Sequence, residues 1–300
     1  VMFWIHGGGN TSGLKDIYDF SKIVNEHDVI VVTINYRLGA FGWFTHPAIQ
    51  SDQDGIDKTS NFGTLDIIQA LKWVKNNIDS FGGDPNNITI FGESAGGHNV
   101  LSLLVAPQAK GLFHKAISQS GYTTSVSKDH AYITDDDSPI YKHTSNEVVK
   151  RLVPNSDKIS LLELKRKLHS LSSKEFFSEY SDSSNLEMPL LTNDDIVIPE
   201  IGLENALKYN RYTNNIPLIA GSNRDEVKLW LAAAEYFVEL DYSLFGSITG
   251  TPKVKLKNED GFEAFNFYRS EAWKIRGVIE PLSALNDSGN SNTFASSYDW

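Results

Sequence analysis

Along the first third of the chain, apolar positions recur with two different periods. Residues 1–5 and the β-branched run 29–34 are short and continuously apolar, as in strands buried on both faces. Residues 14–26 between them predict an amphipathic helix. Leu65, Ile68, Leu71, Val74 and Ile78 then recur three and four residues apart, so they share one face of a longer helix. Gly82-Gly83-Asp84-Pro85 stops that helix, because glycine takes the left-handed conformation that ends one and proline cannot continue it. A strand over 88–91, a glycine-bounded turn, a helix over 95–105 and a strand around 116–118 follow. Strands alternating with helices of this length predict an α/β fold, with a mostly parallel central sheet and helices on both faces.

Residues 123–194 break this rhythm. They are polar and serine-rich, as in Ser170-Leu171-Ser172-Ser173 and Ser181-Asp182-Ser183-Ser184, with one helical run at 161–169. The stretch reads as a cap-like insertion over the sheet, which leaves 1–300 as one domain. The α/β pattern resumes with a helix over 201–209, a strand over 216–220 and a helix over 226–237. Val1 opens directly into a strand, and Ser297-Tyr298-Asp299-Trp300 reads as a strand cut off in mid-course. The expectation is a domain incomplete at both termini, so the first residues carry no information on a signal peptide or on localisation.

Composition narrows the partners more than the fold. Hydrophobic residues make up 40% of the chain and charged residues 22%, ordinary values for a globular domain, and no apolar run is long enough to span a membrane. A net charge of −11 and a pI near 5.2 disfavour nucleic acid or an anionic membrane surface. They suit a neutral or cationic small molecule. With no cysteine, neither a disulfide nor thiolate chemistry is available.

Two glycine motifs carry candidate chemistry. Gly92-Glu93-Ser94-Ala95-Gly96 fits G-x-S-x-G and lies between the predicted strand 88–91 and the predicted helix 95–105. A tight strand-to-helix turn strains the central serine and points its Oγ out of the sheet, while the flanking glycines avoid clashes with neighbouring elements. The competing reading is a chance glycine-rich turn, against which the strand before and the helix after both argue. His6-Gly7-Gly8-Gly9 follows the strand 1–5. Acyl transfer builds negative charge on a former carbonyl oxygen, and consecutive glycines let backbone N–H groups approach and point at it. A flexible turn would use the same glycines, but only the oxyanion reading accounts for both motifs together.

Further segments extend the pattern: Trp4-Ile5-His6-Gly7-Gly8-Gly9, Asn35-Tyr36-Arg37-Leu38-Gly39, Phe81-Gly82-Gly83-Asp84-Pro85, Ile88-Thr89-Ile90-Phe91-Gly92-Glu93-Ser94-Ala95-Gly96-Gly97, Ser118-Gln119-Ser120-Gly121 and Gly221-Ser222-Asn223-Arg224-Asp225-Glu226. On these segments the chain resembles the type-B carboxylesterase family, the α/β-hydrolases that include the cholinesterases. The resemblance spans nearly the whole chain, densest before Gly121 and thinnest across the polar middle. It implies the α/β-hydrolase fold and a serine carboxylic ester hydrolase working through an acyl-enzyme. It further implies Ser94 as nucleophile, Glu226 as the triad acid, and Gly8, Gly9 and the backbone of Ala95 as the oxyanion hole. Glu93 would be a buried neighbour of the nucleophile, and Ser120 a support for the acid. Where the family usually has glycine after the acid, this chain has Val227, which keeps Asp225 as the alternative acid.

A triad also needs a histidine, and the α/β-hydrolase order is serine, acid, histidine. All eight histidines (His6, His27, His46, His98, His114, His130, His143 and His169) precede Glu226. His6 reads as a structural member of the oxyanion loop. His98 is four residues past Ser94 on the same predicted helix, but that helix runs beneath the elbow, whereas a base must sit above the sheet. In the family the histidine follows the acid on a later loop, so the base is expected beyond Trp300 and the 300 residues alone are expected to be inactive. Asp135-Asp136-Asp137 reads as a solvated loop, and no His/Cys/carboxylate set has zinc spacing. Acyl transfer of this kind needs no metal and no cofactor, and its partner is a small-molecule ester. Two other functions would use the same residues. One is an amidase or lactone hydrolase. The other is a non-catalytic interaction protein on a cholinesterase-like fold, against which the intact Ser94, Glu226 and oxyanion glycines argue.

Overall fold

A computed structural model describes residues 1–133, 144–180, 190–232, 234–241 and 253–299. Six parallel strands form the central sheet: β1 (Met2–Ile5), β2 (Val31–Thr33), β3 (Thr89–Glu93), β4 (Lys115–Gln119), β5 (Leu218–Asn223) and β6 (Thr293–Tyr298), in the order β6-β5-β4-β3-β1-β2. The register sets Phe3 beside Val32 and Ile90, Ile90 beside Ala116, and Ile117 beside Ile219. Short apolar strands stacked side by side in this way need cover, and helices supply it. Helix α1 (Phe62–Asn77) buries Ile68, Leu71 and Val74 of the expected stripe and adds Ile67, while Leu65 is only partly buried. A 3₁₀ turn, Ile78–Phe81, follows, and Gly82 ends it at φ +82°. Helix α2 (Ala95–Val105) packs against β1, β3 and β4 and is buried along all eleven residues. Phe3, Ile5, Ile90, Leu101 and Leu104 join the α1 side chains in one continuous core.

The prediction holds for α1, α2 and the first five strands, meets β6 only at Ser297 and Tyr298 because that strand begins earlier, at Thr293, and fails for three helices. Residues 14–26 form only a six-residue helix, Ser21–Glu26, with no buried side chain. The apolar pattern there serves another purpose: the rings of Tyr18 and Phe20 meet the edge of Trp4, each at 5.3 Å. Residues 201–209 hold a single helical turn, Leu203–Ala206. The expected helix 226–237 also shrinks to one turn, Lys228–Leu231, and gives way to the strand Val238–Asp241, paired antiparallel with Lys253–Leu256. Val227, Leu231, Val238 and Phe262 bury together there, while Leu229 and Trp230 stay 77% and 68% exposed. A longer helix would have had no core to cover its remaining apolar residues.

Helix α3 (Glu259–Lys274), a π turn at Ile275–Ile279 and helix α4 (Glu280–Asp287) precede β6 and were not legible in the periodicity. The buried stripe of α3 is Phe262, Asn266 and Ser270, which is mostly polar and silent to a hydrophobicity scan. The polar stretch 123–194 is closed at its base by a parallel pair, Val126–Ser127 with Thr192–Asn193. Its helix Leu161–Ser170 begins on a Ser160 cap whose hydroxyl accepts from the Glu163 N–H at 3.2 Å. Val149, Val153 and Leu164 form a small cluster with Ala48. The acidic run Asp135-Asp136-Asp137, His143 and the run Ser181-Asp182-Ser183-Ser184 lie outside the described residues. No helix among the described residues is long and apolar enough to cross a membrane.

Candidate active site

Ser94 joins β3 to α2 with φ +57° and ψ −122°, a conformation that costs a side-chain-bearing residue energy and persists only when the surroundings impose it. They do so here. The Ser94 N–H donates to the Gln119 carbonyl at 2.8 Å, and the Ser94 carbonyl accepts from the His98 N–H at 3.0 Å. At Gly96 a Cβ would strike the Ile5 carbonyl, so β1 and α2 can approach this closely only across a glycine. The five-residue motif is a packing requirement before it is a chemical one.

The loop after β1 lies directly on this elbow. A Cβ on Gly7 would sit 2.7 Å from the Glu93 carbonyl and 3.1 Å from the Ser94 Cβ. Gly8 adopts φ +99° and turns its carbonyl to accept from the N–H groups of Thr11 at 3.1 Å and Ser12 at 2.9 Å. With that carbonyl facing away, the N–H groups of Gly8, Gly9 and Ala95 find no acceptor among the described residues.

The turn that carries Glu226, the candidate acid (hereafter the acid turn), follows β5. Glu226 Oε2 accepts from the Asn223 backbone N–H at 2.6 Å. The Asn223 side chain in turn reaches Ser120 Oγ at 3.4 Å, and the Ser120 carbonyl accepts from Trp273 Nε1 at 3.0 Å. Ser120 therefore meets the acid turn through Asn223, a residue that sequence reasoning quoted within a motif but assigned no part. Glu93 is half-buried, not fully buried as expected, and its pKa is raised, first by burial and then by the nearby charge of Glu226. Asp225 faces elsewhere: its carboxylate accepts from Asn266 Nδ2 at 2.6 Å and Arg224 Nε at 3.0 Å, and these bonds hold it below the ordinary value. Val227 stands at φ −100° and is buried, so the local backbone makes no demand for glycine after the acid.

Four of the described histidines have partners of their own. His98 is buried, stacks on Tyr122 at 4.3 Å and donates from Nε2 to the Thr124 carbonyl at 2.9 Å. Burial pulls its pKa down to about 4. His6 stacks on Tyr36 and bonds the Gly7 carbonyl through Nδ1 at 2.8 Å, and burial lowers its pKa also. Nδ1 of His46 accepts from the Ala48 N–H, and Nδ1 of His114 from the Ile88 N–H. His27 ends the short helix Ser21–Glu26, while His130 and His169 sit on helices Lys128–Tyr132 and Leu161–Ser170. The structure thus sets the loop at Gly7 against Glu93 and Ser94, puts Glu226 near enough to Glu93 for its charge to be felt, and ties His98 to Thr124.

Known proteins share this fold. The sequence profile of the Carboxylesterase family matches residues 1–262. Para-nitrobenzyl esterase of Bacillus subtilis is 50% identical over 136 residues, 45% of this chain and 27% of that protein. Liver carboxylesterase B-1 of Rattus norvegicus is 34% identical over 271 residues, 84% of this chain and 46% of that protein. The chain thus spans less than half the length of these curated relatives. Among solved structures, a PNB esterase superposes with a TM-score of 0.71 at 27% identity, over 99% of this chain and 61% of the other. A Geobacillus stearothermophilus carboxylesterase superposes with a TM-score of 0.72 at 26% identity, over 100% of this chain and 62% of the other. With its parallel sheet, strained serine elbow and triglycine loop, the chain belongs to the carboxylesterase family and has the α/β-hydrolase fold.

Proposed function

We propose that the protein carrying this chain hydrolyses small-molecule carboxylic esters through an acyl-enzyme on Ser94. One observation carries the reading. A serine held in a strained turn lies beneath a glycine loop, and three backbone N–H groups there, those of Gly8, Gly9 and Ala95, have no acceptor among the described residues. Donors of this kind suit an oxygen that becomes negatively charged during reaction, because they are in place beforehand and cost no reorganisation. Ser94 attacks the ester carbonyl, the donors hold the resulting oxyanion, and water later releases the acid. Glu226 orients a histidine that takes the Ser94 proton and stabilises the cation formed. The names of the relatives, carboxylesterases and a para-nitrobenzyl esterase, support esters as the substrate class.

In this reading the base is a histidine outside residues 1–300. All eight histidines within them precede Glu226, against the chain order of the fold, and His98 is neutral and already bonded to Thr124. Residues 1–300 alone should then catalyse at no more than the roughly 10³- to 10⁴-fold over water that oxyanion donors and binding supply. The test is turnover of a short-chain nitrophenyl ester by the full-length protein at neutral pH. Ser94→Ala should lower kcat on the order of 10⁴- to 10⁶-fold, and an Ala variant at wild-type kcat would overturn the reading.

A further inference from the structure

A loop of three glycines has no side chains with which to hold itself. Glycine also has the widest conformational freedom, so the direction of its N–H groups must be imposed from outside. An oxyanion site works only when its donors are fixed to within a fraction of an ångström, which makes the source of that constraint a functional question. We propose that Tyr36, Asn10 and Asn99 are positioning residues, a buried polar clamp that locks the triglycine loop to the helix of the nucleophile. The proposal rests on the reading of Ser94 and the loop given above, and it adds residues that neither glycine motif contains.

Three contacts define the clamp. The Tyr36 hydroxyl donates to the His6 carbonyl at 2.6 Å and lies 3.3 Å from Asn10 Oδ1. One phenol therefore touches the residues at both ends of the triglycine, and its ring stacks on His6 at 4.4 Å. Burial pushes the Tyr36 pKa up, so the group remains a neutral donor across the working pH range. Asn10 stands at φ +59° with its carbonyl accepting from the Gly39 N–H at 2.7 Å. Its Oδ1 accepts from Asn99 Nδ2 at 2.8 Å, with a longer return contact of 3.5 Å.

Asn99 lies on α2, the helix that begins immediately after Ser94. The amide pair therefore joins two parts of the proposed oxyanion site that come from distant sequence: the Gly8 and Gly9 donors on the loop, and the Ala95 donor at the start of α2. A slip of either amide would move the first two donors relative to the third. Both asparagines are 0% exposed. Stability does not demand amides at such a position, since replacing both partners of a buried hydrogen bond by apolar groups of similar shape can be nearly neutral. Positional specificity accounts for them.

The test uses the full-length protein with Asn10→Gly, Asn99→Ala and Tyr36→Phe. Glycine accepts the left-handed backbone at position 10, so that variant removes the amide without straining the chain. Titration of active sites with a fluorophosphonate gives kcat per competent molecule, which a purely structural role would leave unchanged. The expected result is a loss on the order of 10- to 100-fold in kcat per titrated site for the two asparagine variants, the scale of a small misplacement of reacting groups. KM should change by less than about threefold, because the donors act on developing charge. The double variant should lose about as much as either single one, since both break the same link. Folded variants with a lowered Tm but kcat per site within about twofold of wild type would overturn the clamp. Should the asparagine variants not fold, Tyr36→Phe, which loses one oxygen atom, decides by the same criterion, with about a tenfold loss expected. Normal turnover in Ser94→Ala overturns the reading of Ser94 and the clamp with it. Loss in Ser94→Ala alongside full turnover in the clamp variants overturns the clamp alone.

Discussion

The Ser94 elbow and the Glu226 turn, the proposed nucleophile and acid, stand two strands apart at the carboxyl edge of one parallel sheet, the first after β3 and the second after β5. They are built by different means. At the elbow there is no room: a Cβ on Gly96 would strike the Ile5 carbonyl, and α2 is buried from end to end. Sterics leave the chain one path, and the strain at Ser94 persists because its surroundings over-determine it. At the acid turn there is room. The helix after Glu226 is a single turn with Leu229 and Trp230 exposed, and Glu226 is placed by hydrogen bonds running through Asn223, Ser120 and Trp273. In the proposed mechanism tight packing and chemical importance are therefore separate quantities, and substitutions can pull them apart.

After the loss of Ser94 itself, the largest effect should come from the loosely built side. Glu226→Gln keeps the shape and removes the charge that stabilises the imidazolium, so kcat should fall about 10³- to 10⁴-fold. The fold should be nearly untouched, which circular dichroism and kinetics on the same sample can check. Next come the loop glycines. Gly8→Val and Gly9→Val should each cost about 3 kcal/mol of transition-state stabilisation, read as kcat with KM little changed. The two should differ in stability: Gly8 at φ +99° is also crowded by Ser12, whereas the Cβ position of Gly9 meets only Thr11 Oγ1 at 3.5 Å. Gly8→Val should therefore unfold at the lower temperature, and equal midpoints would show that crowding at Gly8 is relieved by loop movement.

Smaller still is a pH effect from His98. Its pKa is about 4 in the folded protein against 6.5 for the free group, because burial disfavours the charged ring. On acidification the unfolded chain takes up the proton first, so the neutral ring's contribution is complete above about pH 6.5 and is lost as pH falls towards about 4. The loss is at most about 3 kcal/mol. His98→Gln, whose amide can still donate to Thr124, should flatten the stability profile over that window and leave kcat at neutral pH within about threefold. A collapse of activity would make His98 the base. The smallest effect belongs to Asp225→Asn, which weakens partly exposed bonds to Asn266 and Arg224 and should cost under about 1 kcal/mol of stability. If Asp225→Asn impaired turnover more than Glu226→Gln, the acid would be Asp225.

The contrast between the two sites also explains what the sequence could reveal. Where a Cβ cannot fit, only glycine will serve, so Gly92-Glu93-Ser94-Ala95-Gly96 and the triglycine after His6 were legible from residue type and spacing. Helices α1 and α2 were legible for a related reason, since each presents a largely apolar surface to the core. Hydrogen-bonded parts leave no such trace. Asn10, Asn99, Asn223 and Asn266 are polar residues in unremarkable company, and only the fold brings them to their partners. Helix α3 was missed because two of its three buried side chains, Asn266 and Ser270, are polar. The helix over 14–26 was overcalled because its apolar residues include Tyr18, which turns to the Trp4 ring and not to a helix stripe.

The proposed chemistry turns on Ser94, and the most direct measurement is to treat the full-length protein with a fluorophosphonate and locate the adduct by peptide mass spectrometry. The prediction is a single modified residue, Ser94, with labelling abolished in Ser94→Ala. An adduct on a different serine, or undiminished labelling of the Ala variant, would contradict it.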